Sequence, residues 1–222
     1  MPPAERAALL NLAQPRSYRH RERIFRAGSP GENVYLLAEG RVKIFGLSSL
    51  GKEIILWFCF PGELFGIAEM ARGGPREVYA EACSDCRVHV IAQREFKEFL
   101  ATHPATAMLV IDLLSCRLRV LGDVVQNLTA DDVTTRVVKL LLRLCARYGR
   151  PIARDIRLDI KLTHQEMADM IGATRQTVTG VLGELRRKGV LGVEDHYIRV
   201  RHPELLQDMA NATQRATAAP NF

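Results

Sequence analysis

The sequence predicts an α+β protein: an N-terminal antiparallel β-roll, one long helix, and a C-terminal winged helix-turn-helix. Three observations carry this. Short apolar runs cut by glycine turns fill residues 23–91. An apolar heptad follows between Ala107 and Leu128. Two capped helices joined by a glycine then precede a pair of short strands. At 222 residues the chain has room for one large domain or two small ones. Apolar residues make up 47% and charged residues 25%, the balance of an ordinary globular core, which excludes wholesale disorder.

The roll is read from strand-length runs: Ile24-Phe25, Val34-Tyr-Leu-Leu37, Val42-Lys-Ile-Phe45, the run over 54–60, Val78-Tyr-Ala80 and Val88-His-Val-Ile91. Turn chemistry separates them at Gly28-Ser-Pro-Gly31, Gly40, Gly51, Pro61-Gly62 and Gly73-Gly-Pro75. Regular spacing of this kind marks an antiparallel roll or barrel. The period then changes. Ala107, Ile111, Leu114, Leu118, Leu121, Val125 and Leu128 are spaced 4, 3, 4, 3, 4, 3, a heptad seam. A lone seam after a roll most simply pairs with its own copy, so these seven residues are the expected dimer interface. Packing of the helix on its own roll is the other reading. Asp131-Asp132 breaks the seam, and a second helix is expected over 133–148, closed by Gly149-Arg-Pro151. Ile156-Arg-Leu-Asp-Ile160 alternates as a strand, and the Ala/Thr/Gln-rich end from Asn211 has no apolar period and reads as frayed.

Composition excludes some functions. No apolar run approaches the ~20 residues of a spanning helix, because the run over 54–60 ends at once in Pro61-Gly62. The start, Met-Pro-Pro-Ala-Glu-Arg, lacks the apolar stretch of a signal peptide. The expectation is a cytoplasmic protein with no membrane partner, whose five cysteines form no disulfide framework. The net charge of +6 is uneven. Residues 1–137 hold 17 Lys+Arg against 16 Asp+Glu, while residues 138–222 hold 14 against 9. A basic segment joined to a neutral one points to a polyanion partner for the second.

The segment LTHQEMADMIGATRQTVTGVL over 162–182 names that partner as duplex DNA. Thr163 and Glu166 form a capping box that starts one helix, and Gly172 suits its left-handed stop. Thr174 caps a second helix beginning at Arg175, and Ala168 is small where the helices approach. Two short strands around Glu194-Asp-His196 make a wing. The major groove accepts one helix, whose first turn and one face reach base edges. Arg175, Gln176 and Thr179 lie on that face; Arg suits guanine and Gln suits adenine. Thr163, Gln165, Thr174 and Thr177 are the remaining expected DNA contacts, with the threonines on phosphates.

With these motifs in order, the chain resembles the cyclic-AMP receptor protein/FNR family of bacterial transcription regulators over about residues 15–205. The marks are YLLAEGRVKIF over 35–45, PGELFG over 61–66, the heptad helix, and ATRQTVTGVLGELRRKGVL over 173–191. The resemblance implies a cyclic-nucleotide-binding-like roll, a symmetric dimer at promoter DNA, and contact with RNA polymerase if the protein activates. It implies a sensor roll over 1–105, a dimerisation helix over 106–130, a DNA-binding domain over 131–205 and a frayed tail over 206–222. It also places an effector pocket near Gly62, Glu63, Arg76, Glu77 and Leu121.

The departures disfavour cyclic AMP. Ile67 stands where family members hold the ribose with a glutamate. Arg76 matches the phosphate arginine, but Glu77 follows it where serine is expected. Leu121-Gly122 replaces the adenine-contacting Thr-Ser, and Gly180 replaces the second arginine of the recognition helix. The N-terminal cysteine cluster of oxygen sensors is absent, and Gly66-Ile67-Ala68 stands where the haem branch has its Cys and His.

Cys83-Ser-Asp-Cys86 falls between two strands, with Cys59 on an earlier strand and Cys116 on the long helix. Three readings stay open for these thiols: buried apolar residues, a thiol redox switch, or a metal or iron–sulfur centre. The fifth cysteine, Cys145, lies outside the roll, and the histidines are scattered singly. The functional reading is a dimeric DNA-binding regulator, gated by an effector or redox state other than cyclic AMP, or needing no effector. A thiol oxidoreductase through Cys83 and Cys86 is the remote alternative, because such enzymes set the first cysteine at a helix N-terminus. An enzymatic role is therefore not expected.

Overall fold

The computed structural model describes residues 1–71, 73–194 and 197–217, with residues 212–217 and Ala130 described by backbone alone. Compactness divides the chain into Met1–Leu121 and a second unit from Gly122 onward. The cut falls inside the long helix rather than at either end of it.

In the first unit, α1 (Pro3–Asn11) leads into β1 (Gln14–Tyr18), β2 (Arg23–Phe25), β3 (Asn33–Glu39), β4 (Val42–Leu47) and β5 (Glu53–Cys59). Then come β6 (Leu64–Phe65), a 3-10 turn at Ala68–Met70, β7 (Tyr79–Ala82) and β8 (Cys86–Ala92). The strands pair antiparallel in two sheets ordered β1-β8-β3-β6 and β2-β7-β4-β5. β3 shows why the sequence reads as an unbroken apolar run. Side chains alternate faces along a strand. Tyr35 and Leu37 join Phe25, Phe65, Val88 and Val90 between the sheets. Val34 and Leu36 join Leu9, Phe96, Phe99 and Val110 in a second cluster on the other face. Tyr35 stacks on Phe65 with ring centroids 5.0 Å apart.

After α2 (Gln93–Thr102) comes α3 (Pro104–Ala130). The Glu5 carboxylate on α1 accepts from the Thr106 amide at 3.0 Å and from the Thr106 hydroxyl. An acid thus answers the free amides at the start of α3, a pairing across 101 residues that no local motif announces. One face of α3 is buried through Thr106, Val110 and Arg117. The predicted seam lies elsewhere on the helix: Ile111, Leu114, Leu118, Val125 and Leu128 are exposed, Leu118 at 72% and Val125 at 62%, while Ala107 and Leu121 are half-buried.

The second unit holds the end of α3, then α4 (Val133–Tyr148), β9 (Gly149–Ile152), β10 (Asp155–Leu158), α5 (His164–Ile171) and α6 (Arg175–Arg187). The strands β11 (Leu191–Glu194) and β12 (Tyr197–Val200) and the helix α7 (Pro203–Thr217) complete it. The sheet order is β11-β12-β10-β9, so the wing hairpin extends onto a second hairpin. Asp195 and His196 at its tip lie outside the described residues. The break at Asp131-Asp132 has a definite chemistry. Asp132 caps α4 by accepting from the Thr135 amide at 2.7 Å, and Asp131 pairs with Lys139 at 2.7 Å.

One expectation is corrected here. The segment read as a frayed tail from 206 is helical to Thr217, with Leu206 and Ala210 buried and α7 packed on α4. The i, i+4 spacing of those two residues supplies the apolar stripe; polar composition hid it. Residues 218–222 lie outside the described residues.

Candidate nucleic-acid interface

The interface is built from its caps. The Thr163 amide donates to Glu166 Oε2 at 2.7 Å, and the Glu166 amide donates to Thr163 Oγ1 at 3.1 Å, closing the capping box of α5. Gly172 ends α5 at φ +64°, and the Ala173 amide returns to the Ala168 carbonyl at 3.0 Å. A Cβ at Gly172 would meet the Leu128 side chain at 3.2 Å as well as suffer the left-handed backbone. Thr174 Oγ1 then accepts from the Thr177 amide at 3.2 Å and shares a hydrogen bond with Thr177 Oγ1 at 2.8 Å. Met167, Ala168, Ile171, Val178, Val181 and Leu182 are all buried. Their burial turns the other face of α6 outward.

That face carries Arg175, Gln176, Thr179 and Gly180, all exposed. Among the described residues, neither the Arg175 nor the Gln176 side chain has a hydrogen-bond or ion-pair partner. Of the other predicted contacts, Thr163, Thr174 and Thr177 lie exposed at the two helix starts. Gln165 is exposed too, but its Nε2 is held by the buried Asp169 at 2.8 Å. The Thr179 hydroxyl is also engaged: it donates to the Arg175 carbonyl at 2.8 Å, and His164 Nδ1 lies 2.8 Å away.

Sequence reasoning passed over His164 and the basic end of α6. Burial, then Arg186, then Arg175 hold the imidazole below its usual pKa. Arg186, Arg187 and Lys188 are exposed at the C-terminus of α6, where cations also suit the helix dipole. The run Arg-Arg-Lys was the available signal. On the wing, Arg199 is spoken for by Asp155 at 3.0 Å and by Glu194.

Between the roll and the first half of α3 lies an open pocket of about 650 Å³, lined by Trp57, Ile67, Glu77, Leu114, Arg117 and Leu121 among others. This lining takes in part of the expected effector set. Glu77 and Leu121 line the pocket; Gly62, Glu63 and Arg76 do not. Gly62 sits in the β5–β6 turn, its amide donating to the Leu37 carbonyl at 2.8 Å. Arg76 is buried, with Nη1 and Nη2 paired within the protein and Nε without a hydrogen-bond partner. It pairs with the buried Glu69, donates to the Gly66 carbonyl at 2.9 Å and to the Asn33 carbonyl, and lies 4.4 Å from the Phe25 ring centroid.

The four-thiol centre is also corrected. Among the described residues, no three His, Cys, Asp or Glu side chains gather in a group able to hold a metal ion. Cys59 closes β5 with its sulfur 3.7 Å from Arg117 Nη2, and Cys116 is on α3. Cys86 donates to the Arg41 and Ser84 carbonyls at 3.3 and 3.2 Å. Burial pushes the Cys86 thiol up, and pushes Cys145 up to about 11. Neither has the depressed pKa of a reactive thiol. Among the described residues no helix is long and apolar enough to cross a membrane.

Known proteins agree with this geometry. The chain matches the cyclic nucleotide-binding domain over residues 15–103 and the Crp-like helix-turn-helix domain over residues 135–209. It is 31% identical over 192 residues to a global nitrogen regulator of Nostoc sp. (strain PCC 7120 / SAG 25.82 / UTEX 2576), covering 86% of each chain. A CRP-like cAMP-activated global transcriptional regulator of Mycobacterium tuberculosis is 28% identical over 204 residues, with 92% of this chain and 91% of the relative covered. The structure of FixK2 from Bradyrhizobium japonicum superposes with a TM-score of 0.76 at 26% identity, covering 88% of this chain and 96% of that one. A CooA mutant from Carboxydothermus hydrogenoformans, at 21% identity and TM-score 0.81 over 91% and 90% of the chains, shares the fold. With both halves matched in order and relatives aligned over most of their length, the chain belongs to the cyclic-AMP receptor protein/FNR family and is a DNA-binding transcription regulator, not an enzyme.

Proposed function

We propose that the protein acts in the cytoplasm as a symmetric dimer that reads a near-palindromic operator with α6, and that cyclic AMP is not its effector. The observation that carries the DNA reading is the outward face of α6, where Arg175 and Gln176 stand exposed on a rigid, doubly capped scaffold. Arg175 reads a guanine through O6 and N7, and Gln176 a neighbouring base. Thr163, Thr174, Thr177 and the helix N-termini hold phosphates, and Gln165 stays beside them through Asp169. The exposed residues Ile111, Leu114, Leu118, Val125 and Leu128, with Ala107 and Leu121, form the two-fold seam. In this layout residues 1–105 sense, 106–130 dimerise and 131–205 bind DNA, with RNA polymerase the further partner of an activating member.

The effector argument rests on charge. The Arg76 guanidinium already has Glu69, and Glu77 adds a carboxylate to the pocket wall. A phosphodiester there would meet the Glu77 carboxylate without a counter-charge from Arg76, and the cation on the wall, Arg117, is turned to the Leu64 carbonyl at 2.6 Å. The Glu69–Arg76 pair gives specific support to a second version, in which no effector is needed.

The test is a titration of the full-length protein against a duplex selected from a randomised pool, with every single base substitution in one half-site. Arg175→Ala should cost about 1–3 kcal/mol per half-site and relax preference at one base pair. If that variant keeps the parent's base preferences, Arg175 is only a phosphate clamp and the docking fails.

A further inference from the structure

Thr179 has a hydroxyl whose one hydrogen is already committed. A hydroxyl carries one hydrogen, and that of Thr179 goes to the Arg175 carbonyl at 2.8 Å. His164 Nδ1, also 2.8 Å from Thr179 Oγ1, must then be the donor, which fixes the imidazole tautomer. The oxygen is thus pinned between α6's own backbone and the first residue of α5. Thr179 is nonetheless exposed on the face that carries Arg175. With that hydrogen committed it has none to donate to a thymine O4, and against a thymine what it offers is its γ-methyl group. The next residue, Gly180, adds no side chain to compete for the same base pair.

We propose that Thr179 reads the C5-methyl group of a thymine through its γ-methyl, and that His164 is the positioning residue that turns the hydroxyl away from the DNA. A threonine methyl against a thymine methyl is an established apolar mode of major-groove readout. The inference rests on α6 lying in the major groove. Thr179 is four residues beyond Arg175, ~6 Å along the helix. The thymine therefore lies within about two base pairs of the guanine, at 3.4 Å per step. His164 touches no base in this arrangement. Its effect passes through the orientation of Thr179.

The experiment uses the full-length protein and a duplex it selects from a randomised pool. Each thymine of a half-site is replaced in turn by deoxyuridine, which deletes only the methyl group. One position should lose about fourfold in affinity, the worth of one buried methyl-sized group at tenfold per 1.4 kcal/mol. Replacing it in both half-sites should lose about 15-fold. Two variants separate methyl from hydroxyl. Thr179→Val keeps the methyl and should retain the thymine-to-uracil ratio; Thr179→Ser keeps the hydroxyl and should bring the ratio to about one. His164→Ala should lower the ratio, and His164→Asn, whose amide donates from nearly the same place as Nδ1, should restore it. A helix-packing role for His164 would change affinity for both duplexes alike and leave their ratio alone. The proposal is overturned if no thymine responds in the parent protein, or if Thr179→Ser keeps the ratio while Thr179→Val loses it. Arg175→Ala on the same duplexes distinguishes the two levels of failure. If it alters base preference while the thymine ratio ignores Thr179, only the methyl reading falls. If it alters nothing, groove docking falls and the methyl reading with it.

Discussion

Asp132 does for α4 what Thr163 and Thr174 do for α5 and α6. The Thr135 amide donates to its carboxylate at 2.7 Å. That backbone hydrogen bond, then the Thr135 hydroxyl, holds its carboxyl below the usual aspartate range. A depressed folded pKa means the cap stabilises above the unfolded value of about 3.9 and is lost as pH falls through the folded one. Asp132→Ala should cost about 0.5–2 kcal/mol in urea denaturation at pH 7. The gap between parent and variant should shrink as the buffer is acidified past that folded pKa. In the roll, the side chains of Arg76 and Glu69 are 1% and 7% exposed and bind each other. Removing one partner of a buried pair strands the other charge. Glu69→Gln should therefore destabilise the protein by about 3–5 kcal/mol. A loss under about 1 kcal/mol would mean that Arg76 is carried by the Gly66 and Asn33 carbonyls alone.

At the scale of elements, α3 presents two faces with different obligations. Thr106, Val110 and Arg117 are covered within the protomer, whereas Leu118 and Val125 are exposed at 72% and 62%. Replacing both exposed residues by aspartate should leave the protomer folded, because those positions already face water. In a dimer the same charges would be buried against an apolar copy, at several kcal/mol. Sedimentation should then give folded monomers with sharply reduced operator affinity, and a variant that stays dimeric would move the interface off this seam. α6 makes the same division: Val178, Val181, Leu182 and Leu185 are buried, which leaves the opposite side, with Arg175, Gln176 and Thr179, exposed.

For the whole molecule the question is what reaches the DNA-binding half from the roll. The pocket of about 650 Å³ is walled by Ile67, Glu77, Arg117 and Leu121. In the binding mode that the family resemblance implies, the phosphate of cyclic AMP would lie beside Glu77 while Arg76 stays bound to Glu69. Calorimetry with cyclic AMP should therefore show no binding at micromolar concentrations, and the nucleotide should leave operator affinity unchanged. Micromolar binding that tightens operator affinity would mean that the Glu69–Arg76 pair opens to admit the ligand.

Local grammar was enough for the DNA-binding half. The capping box at Thr163, the stop at Gly172 and the cap at Thr174 are chemistry between residues at most five apart, and the order of motifs carried the family with it. The period of seven on α3 and the turn-punctuated runs of the roll are likewise properties of neighbours in the chain. Partners distant in sequence were invisible. Glu5 reaches Thr106, Arg117 reaches Leu64 and Cys59, and Arg76 reaches Asn33 as well as Glu69. The last of these gives partners within the protein to an arginine that the family resemblance had placed at a ligand. α7 escaped because Leu206 and Ala210, the buried residues among its described side chains, are too few to set a period, although they suffice once α4 gives them a surface. His164 and Thr179, 15 residues apart, meet only because a glycine turn folds α5 against α6. The sequence by itself determined the elements and their order, since periodicity and capping are local. The tertiary structure decided which polar groups remain available to ligand and DNA, because hydrogen bonds and ion pairs are allotted only when distant segments come together.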